Sequence, residues 1–176
     1  MRIVAGFLGG RTFESPRSYR THPMGDKIRG ALFNALGDIQ GLTVLDAFCG
    51  SGALSFEAVS RGAASAMAID IDKAAITTTV NNIELLGLSG RVVPMRANIS
   101  AWASRNRERQ FDIVLLDPPY DNVRRDLLAK VATLCAPDGV VVCSLPPTDI
   151  QMLPSEFTMI KKRAYGDATL AFYRRV

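Results

Sequence analysis

The segment FDIVLLDPPY, residues 111–120, joins an apolar run directly to a carboxylate, two prolines and a tyrosine. The prolines have no backbone N–H, and each disfavours helical geometry in the residue before it. The run therefore ends in a stiff hook with two hydrogen-bond acceptors, the Asp117 carboxylate and the Pro118 carbonyl. The flat ring of Tyr120 follows Pro119 directly. Two acceptors beside an aromatic face suit a planar substrate that carries an NH2 group.

Such a hook would assist methyl transfer to an amine. An exocyclic amine on a base is a poor nucleophile, because its lone pair is delocalised into the ring. Hydrogen bonds from both N–H groups would aim the lone pair at a methyl group, and Asp117 would stabilise the positive charge that develops. A surface turn is the alternative, because Asp and Pro are frequent in turns. The position of the hook after a predicted central strand favours the chemical interpretation.

A second candidate site is the segment DAFCGSGAL, residues 46–54, which follows another apolar run. Gly50 and Gly52 would open the next helix and let the backbone approach a ligand closely. Asp70 lies about 20 residues further on, the spacing at which an acid can bind ribose hydroxyls. A tight strand-to-helix turn followed by a solvated acid explains these residues equally well, because a short glycine motif is weak evidence.

The glycine spacing narrows the choice of ligand. A dinucleotide fingerprint has Gly or Ala at its third position, where this chain has Ser55, and no P-loop lysine follows. The loop therefore favours a ligand with a ribose and an amino-acid part but no phosphate, such as S-adenosylmethionine (SAM). Asn98, after the third predicted strand, would either bond the adenine edge or cap the following helix.

The elements that must carry these residues alternate between strands and helices. Short apolar runs predict strands at residues 43–48, 65–71, 91–96, 111–117 and 139–145. Near-continuous apolar strands in this alternation predict a parallel sheet covered on both faces, with ligands at the carboxyl ends of the strands. Residues after 155 predict two antiparallel strands joined near Gly166 and Asp167.

The first part of the chain has a different pattern. Residues 2–14 predict a hairpin with a Gly9-Gly10 turn, and residues 26–37 predict an amphipathic helix that Asp26 would cap. Its apolar face would carry Ile28, Leu32, Ala35 and Leu36.

Length and composition indicate one globular domain of 176 residues, with 48% hydrophobic and 7% aromatic content. No apolar run approaches the length of a membrane span. The three cysteines, an odd number without metal-site spacing, predict reduced core thiols of a cytoplasmic protein and no bound metal. A net charge of +4 is compatible with a polyanionic partner.

The segments at 117–120 and 46–54 resemble the amino-group methyltransferases that act on DNA adenine, RNA guanine or protein glutamine. The N-terminal RIVAGFLGGRTF and RTHPMGDKIRGALFNAL narrow the resemblance to the RsmD family, bacterial enzymes that modify guanine N2 in small-subunit (16S) ribosomal RNA. The resemblance covers nearly the whole chain. It implies an α/β, Rossmann-like class I SAM-dependent methyltransferase fold. The expected sheet is mostly parallel and seven-stranded, with a C-terminal antiparallel hairpin and a small N-terminal β-hairpin and helix.

The resemblance also implies roles for particular residues. The catalytic motif would be Asp117, Pro118, Pro119 and Tyr120. Contacts to SAM are expected after the first three strands, from Asp46, Phe48, Cys49, Gly50, Ser51, Gly52, Asp70, Ile71, Asn98 and Ile99. RNA contacts are expected from the N-terminal residues Arg2, Arg11, Arg17, Arg20 and His22, because basic and aromatic residues cluster there. We therefore expect residues 1–25 to be an RNA-binding extension and 26–176 to be the methyltransferase domain.

The chain departs from the family pattern at three positions. His22 stands where an arginine is usual, Gly30 where a glutamate is frequent, and Ser144 where an acidic residue is common. His22 is either a substitute for that arginine at the mouth of the site or an ordinary loop residue. These departures leave the predicted SAM site intact and affect the expected contacts with RNA.

Other functions remain open at this point. An adenine-N6 DNA methyltransferase usually carries a separate target-recognition segment, for which the chain has no spare length. A glutamine-N5 protein methyltransferase more typically has Asn in place of Asp117. A catalytically inactive SAM-binding subunit is disfavoured by the intact DPPY motif. The expected partner is ribosomal RNA or the small ribosomal subunit, with no membrane contact, and the expected protein is a cytoplasmic monomer.

Overall fold

The computed structural model describes residues 1–15, 24–147, 153–166 and 168–176. Within these residues seven strands form one sheet: β1 (Thr43–Asp46), β2 (Ser65–Asp70), β3 (Val92–Arg96), β4 (Phe111–Leu116), β5 (Cys135–Leu145), β6 (Phe157–Tyr165) and β7 (Ala168–Arg175). The helices of the same part of the chain are α1 (Asp26–Leu36), α2 (Ala53–Ser60), α3 (Lys73–Leu86), α4 (Ile99–Arg105) and α5 (Arg125–Ala132). A short 3-10 helix spans Tyr120–Asn122.

The strand order is β3-β2-β1-β4-β5-β7-β6. The first five strands in this order pair in parallel, and β7 runs antiparallel to both β5 and β6. The predicted mostly parallel seven-stranded sheet with a C-terminal antiparallel hairpin is therefore confirmed. Because the chain moves from β1 toward β3 on one side and from β4 toward β5 on the other, the order reverses between β1 and β4. Ligands of open α/β sheets bind at such a reversal.

Two apolar clusters cover the two faces of the sheet, as the alternation of side chains along a strand requires. Val44 joins the cluster under α1, α2 and α3, whereas its neighbour Leu45 joins the cluster under α4 and α5. Trp102 lies in the second cluster and contacts Phe111, with ring centroids 6.5 Å apart. Trp102 is therefore a packing residue.

Helix α1 begins without the predicted side-chain cap. Its N-cap is Gly25, and the prediction that Asp26 caps the helix is wrong. The Asp26 carboxylate instead accepts hydrogen bonds from Arg29 at 2.8 Å and from Arg2 at 3.2 Å. These guanidinium groups hold the pKa of Asp26 below its ordinary value although burial opposes them. Paired with two cations, the carboxylate no longer serves the helix N–H groups.

The buried face of α1 is also rotated from the predicted one. Leu32 and Phe33 are fully buried, whereas Ile28, Ala35 and Leu36 are only half-buried. The N-terminal segment causes this difference, because it packs beside the helix. A Cβ on Gly30 would lie 3.3 Å from a methyl group of Val4.

The predicted hairpin over residues 2–14 pairs only at its ends. An antiparallel bridge joins Arg2 and Thr12, and the backbone N–H groups of Ile3 and Phe13 donate to Arg11 and Met1 at 2.9 Å. The residues between them form turns rather than two strands. The chain reversal does not rest on Gly9-Gly10 alone, because Gly6 also adopts a left-handed conformation with φ of +83°. A Cβ on Gly6 would lie only 1.8 Å from a carbonyl oxygen of α2, so glycine is required for this close approach.

Helix α2 accepts hydrogen bonds from the turns between the two paired ends. The backbone N–H groups of Val4 and Ala5 donate to the Glu57 carboxylate at 2.7 and 3.0 Å. The N–H of Leu8 donates to the Ser60 hydroxyl at 3.0 Å. The buried apolar side chains of the segment, Ile3, Leu8 and Phe13, lie in the same core cluster as α1 and α2. The N-terminal segment is thus packed as part of the main core.

The cysteines Cys49, Cys135 and Cys143 are all buried and form no disulfide. Burial raises the pKa of the Cys143 thiol to about 12. The described residues contain no cluster of His, Cys, Asp and Glu side chains arranged to hold a metal ion. None of the helices in the described part of the chain combines the length and the apolar character that a membrane span needs.

Candidate active site

A cavity of about 920 Å³ lies at the carboxyl ends of the parallel strands, where the strand order reverses. The loops after β1, β2, β3 and β4 line it, and the start of α1 and the end of β5 complete its wall. Its volume falls in the range of about 300–1,000 Å³ that is typical of small-molecule sites. The cavity is therefore large enough for a nucleoside-sized cofactor and part of a second ligand.

Most of the predicted site residues line this cavity. All four residues of the predicted catalytic motif do so, as do the predicted cofactor contacts Phe48, Cys49, Gly50, Ser51, Asp70, Ile71, Asn98 and Ile99. Two predicted cofactor contacts, Asp46 and Gly52, do not reach the wall. Gly52 adopts φ of +82° directly before α2, and a Cβ there would lie 2.5 Å from the ring of Phe56. Glycine at this position is needed for packing of the loop.

Asp70 connects the glycine loop to the end of β2. One of its carboxylate oxygens accepts a hydrogen bond from the backbone N–H of Gly50 at 2.9 Å, and the other accepts from Asp72 at 2.9 Å. The carboxylate is thereby fixed in the cavity wall with both oxygens in defined directions. Because an ionised carboxylate has about four acceptor positions, Asp70 retains capacity for the hydroxyl groups of a ribose.

Asn98 caps helix α4. Its side-chain oxygen accepts a hydrogen bond from the N–H of Ala101 at 3.1 Å, as the helix-cap alternative predicted. The same residue lines the cavity. Contact between Asn98 and an adenine edge therefore stays a prediction, and the capping bond fixes the orientation from which that contact would be made.

Asp46 is fully buried behind the glycine loop. One carboxyl oxygen accepts from the hydroxyl and the N–H of Ser55, at 2.8 and 3.2 Å. The other is buried and has no hydrogen-bond partner among the described residues. Burial raises the pKa of Asp46 to about 7, and the nearby carboxylates of Asp117 and Asp70 add to the increase. A carboxyl group in this condition favours a cation nearby.

Asp117 follows β4, and the pairing of Leu116 with Cys143 places it beside Ser144 at the end of β5. Desolvation raises the pKa of Asp117 to about 6, and a hydrogen bond from Ser144 opposes the increase. The Ser144 hydroxyl also lies 2.9 Å from the Tyr120 hydroxyl. The sequence marked Ser144 only as a departure from the family pattern and not as a site residue, and its place at the end of the neighbouring strand is the feature that could have identified it.

The lining of the cavity carries more acidic than basic side chains. The described lining residues include the carboxylates of Asp70, Asp117 and Asp121, with Arg124 as the cationic side chain among them. Exposed basic residues flank the lining residues in the chain: Lys27, Lys73, Arg96 and Arg125. SAM carries positive charge on its sulfonium and ammonium groups and has no phosphate. The interior carboxylates of Asp70 and Asp117 fit such a cation. The rim of the cavity carries both signs of charge, because Asp26, Asp72 and the exposed Asp121 lie beside these basic residues.

The predicted RNA-binding residues are not gathered in the cavity wall. Arg2 pairs with Asp26 at the start of α1, close to the lining residue Gly25. Arg11 donates to the carbonyls of Leu85 and Leu86 at 3.1 and 3.5 Å. Those carbonyls end α3, about 20 Å along the helix from its cavity end. The remaining predicted contacts, Arg17, Arg20 and His22, lie outside the described residues, as does Asp167 of the C-terminal turn.

Sequence comparison finds one family across the whole chain. The family model described as Conserved hypothetical protein 95 matches residues 1–174. The ribosomal RNA small subunit methyltransferase D of Escherichia coli strain K12 is 30% identical over 183 residues, which cover 99% of this chain and 90% of that relative. The YlbH protein of Bacillus subtilis strain 168 is 30% identical over 182 residues, which cover 99% of both chains.

Solved structures are similar over the same length. The Escherichia coli protein yhhF matches with a TM-score of 0.88 at 26% identity, covering 99% of this chain and 97% of that one. The Thermus thermophilus protein TTHA0928 matches with a TM-score of 0.78 at 27% identity, covering 98% of each chain. TrmN of Thermus thermophilus shares the fold at 22% identity, with a TM-score of 0.73 over 85% of this chain and 48% of TrmN. The similarity to the first two includes the N-terminal segment as well as the sheet.

Proposed function

Because this chain belongs to the family described as Conserved hypothetical protein 95, the RsmD family that its motifs resemble, we propose that it methylates ribosomal RNA. The proposed target is the exocyclic N2 amine of a guanine in the small-subunit RNA. The predictions of the family and of its class I methyltransferase fold are confirmed, and SAM is the cofactor of this class. The observation that carries the proposal is the meeting of the DPPY hook and the glycine loop in one cavity.

SAM supplies a methyl group on a cationic sulfur, which makes that methyl electrophilic. We propose that Gly50 and Ser51 bind its amino-acid part and that Asp70 accepts hydrogen bonds from its ribose. Asn98 and Ile99 would contact the adenine, with Ile71 on the outer side. The acidic interior supports these assignments, because a cation in the cavity relieves the repulsion among its carboxylates.

Asp117 and the carbonyl of Pro118 would accept the two hydrogen bonds from the target amine. These bonds orient the lone pair, and the Asp117 carboxylate stabilises the positive charge that develops on nitrogen. Afterwards either Asp117 or water takes the proton. The ring of Tyr120 would stack on the target base, and 40% of this residue is exposed. A guanine in a helix hides its amine in the minor groove, so the target nucleotide must be splayed out of the RNA to reach this site.

Exposed basic residues beside the cavity support RNA as the substrate. We propose that Arg124 and the flanking basic residues contact RNA phosphates, because a polyanion approaching the cavity meets them first. Arg2, Arg17, Arg20 and His22 remain proposed RNA contacts within an extension of residues 1–25. For Arg11 the bonds to the end of α3 support a structural role instead. A cytoplasmic monomer acting on RNA or on an assembled small subunit completes the proposal.

The test is transfer of labelled methyl groups from SAM to separate substrates, followed by nucleoside and amino-acid analysis. The substrates are naked small-subunit RNA, small ribosomal subunits, duplex DNA and a protein mixture, each with the Asp117→Ala variant as control. N2-methylguanosine from RNA or subunits, absent with the variant, is the expected result. N6-methyladenosine in DNA or methylated glutamine would replace the proposal with one of the alternative functions. Absence of any transfer, with SAM binding intact, would indicate an inactive SAM-binding subunit.

A further inference from the structure

Ser144 joins the two side chains that the proposed reaction uses. Its hydroxyl lies 2.9 Å from the Tyr120 hydroxyl. The pairing of Leu116 with Cys143 places Ser144 beside Asp117, and a hydrogen bond from Ser144 lowers the pKa of that carboxyl. The residue is 2% exposed, and it lines the cavity at the carboxyl end of β5. The three residues come from the end of β5 and from the segment after β4, which are neighbouring strands of the sheet. One serine oxygen is therefore the link between the acceptor hook and the aromatic ring.

The direction of these hydrogen bonds follows from the groups themselves. An ionised carboxylate only accepts, whereas a serine hydroxyl has one donor hydrogen and two acceptor positions. When Asp117 is ionised, Ser144 must therefore donate to it. The serine oxygen is then left as an acceptor, and the Tyr120 hydroxyl donates to it. The chain of donation runs from Tyr120 through Ser144 to Asp117.

We propose that Ser144 is a positioning residue of the methyl-transfer site, whose hydroxyl holds the Asp117 carboxylate and the Tyr120 ring as one unit. The proposal rests on the proposed function in that the amine would bind between these two groups. In this role Ser144 acts through these two groups and not on the amine or the methyl group directly. It fixes the carboxylate oxygen that accepts from the amine, and it fixes the ring on which the base stacks.

A purely structural serine would have different consequences. A buried hydroxyl whose only role is to satisfy its own hydrogen bonds can be replaced by Ala with little effect on distant chemistry. A positioning hydroxyl instead favours the ionised form of Asp117, so its loss raises the pKa of that carboxyl. The titration of Asp117 therefore separates the two roles, and it requires no catalysis.

The first experiment is a carboxyl-carbon NMR titration of ligand-free protein labelled at aspartate. The Asp117 resonance is assigned by its disappearance in Asp117→Asn. In Ser144→Ala the midpoint is expected to rise by about one pH unit, a tenfold change in the protonation equilibrium. Ser144→Thr keeps the hydroxyl and should restore the parent midpoint. Cys143→Ala, a neighbouring buried residue that does not line the cavity, is the matched control and should leave the midpoint unchanged.

The second experiment measures the pH dependence of methyl transfer to RNA. Ser144→Ala should lower kcat about tenfold at pH 6 and by a smaller factor at pH 9, where Asp117 is ionised in both proteins. KM for RNA should change less than kcat. Combining Ser144→Ala with Tyr120→Phe should cost less than the product of the two single effects, because both changes break the same chain of hydrogen bonds.

An unchanged Asp117 midpoint and an unchanged rate–pH profile in Ser144→Ala would overturn the positioning role. Should that variant fail to fold, Tyr120→Phe removes the donor at the other end of the chain. A smaller upward displacement of the Asp117 midpoint is then expected, and an unmoved midpoint would overturn the proposal. If the parent protein methylates no RNA, the proposed function fails, while the NMR titration still decides whether Ser144 holds Asp117.

Discussion

Asp46 at the end of β1 and Glu57 in α2 are both fully buried carboxyl residues, but they differ in their hydrogen-bond and ion-pair partners. Glu57 of α2 accepts from two backbone N–H groups and from the guanidinium groups of Arg61 at 2.7 Å and Arg29 at 3.5 Å. Asp46 of β1 accepts only from Ser55, and its second oxygen has no partner among the described residues. Glu57 thus has two cationic partners, whereas Asp46 has none among the described residues.

This difference separates a residue that builds the fold from one that prepares a site. Burying a charge is costly unless it is paired and hydrogen-bonded. At Glu57 the pairing joins α1, α2 and the N-terminal segment, so the cost is offset by tertiary structure. At Asp46, and more weakly at Asp117, the cost remains in the ligand-free protein as a raised pKa. A cationic ligand would remove that cost on binding, which links the acidic interior to SAM.

The largest effect is expected for the site carboxylate that faces the proposed substrate. Asp117→Ala should slow methyl transfer by roughly 10²–10⁴-fold, because the charge-stabilising acceptor is lost. Asp117→Asn keeps one acceptor oxygen without the charge and should fall between parent and Ala variant. Single-turnover rates at saturating SAM and RNA measure this directly. SAM affinity should stay nearly unchanged in both variants, and transfer within a few-fold of the parent by the Ala variant would contradict the catalytic role.

Glu57 should show the opposite behaviour. Glu57→Ala leaves the fully buried Arg29 without this partner and frees two N–H groups of the N-terminal segment. The free energy of unfolding should fall by about 3–5 kcal/mol, the usual cost of breaking a buried ion pair. Chemical denaturation measures it, with the exposed helical residue change Glu84→Ala as control, expected within about 0.5 kcal/mol of the parent. A cost as small as that of the control would show that Glu57 does not hold the segment.

The burial of Asp46 without a cationic partner should make the free energy of unfolding depend on pH. Its folded-state pKa is about 7, above the ordinary unfolded value of about 3.9. Between these two values the folded protein holds a proton that the unfolded chain has released, so stability falls as pH rises through this window. Asp46→Asn should flatten that fall and stabilise the ligand-free protein at pH 8 by on the order of 2 kcal/mol. Denaturation curves at several pH values test this, and equal slopes for both proteins would contradict it.

The sequence predicted the sheet and the hook because both depend on local patterns. Apolar runs of strand length, alternating with helical spacing, are sufficient to predict a parallel sheet. Strand ends in such a sheet gather at one edge, which is why Asp117 and Gly50 line the same cavity. Their roles there stay predictions. The strand boundaries were close as well, except that β5 begins at Cys135, four residues before the predicted start at Gly139. The early part of β5 is irregular, with a register shift opposite Phe111.

The remaining features depend on contacts between distant segments, which local patterns do not contain. The N-terminal hairpin is paired only at its ends, because the α2 side chains Glu57 and Ser60 accept the backbone hydrogen bonds of its middle residues. Asp26 does not cap α1, because its carboxylate accepts hydrogen bonds from Arg2 and Arg29 instead. Ser144 lies beside Asp117 because β4 pairs with β5, and the sequence does not show this pairing. Predicting each of these three features requires knowledge of which side chain from a distant segment packs against it.

The smallest expected effects concern two arginines, Arg11 and Arg124, which differ in whether their charge is used within the fold. Arg11 donates to carbonyls at the end of α3, so its charge is already used within the fold. Arg124 lines the mouth of the cavity and pairs with exposed Asp126 at 2.8 Å, a weak pair that an RNA phosphate can displace. Arg124→Ala should therefore weaken RNA binding by several-fold and reduce the slope of log K against log salt by about 1.

Arg11→Ala should instead lower the free energy of unfolding by about 0.5–1 kcal/mol, because a cation is lost from a helix C-terminus. It should leave the salt slope of RNA binding at the parent value. Binding of small-subunit RNA at several salt concentrations, with unfolding curves for both variants, separates the two cases. If Arg11→Ala reduced the salt slope as much as Arg124→Ala, the far end of α3 would also contact RNA. The division between charges used by the fold and charges left for ligands would then not hold for the cationic side chains.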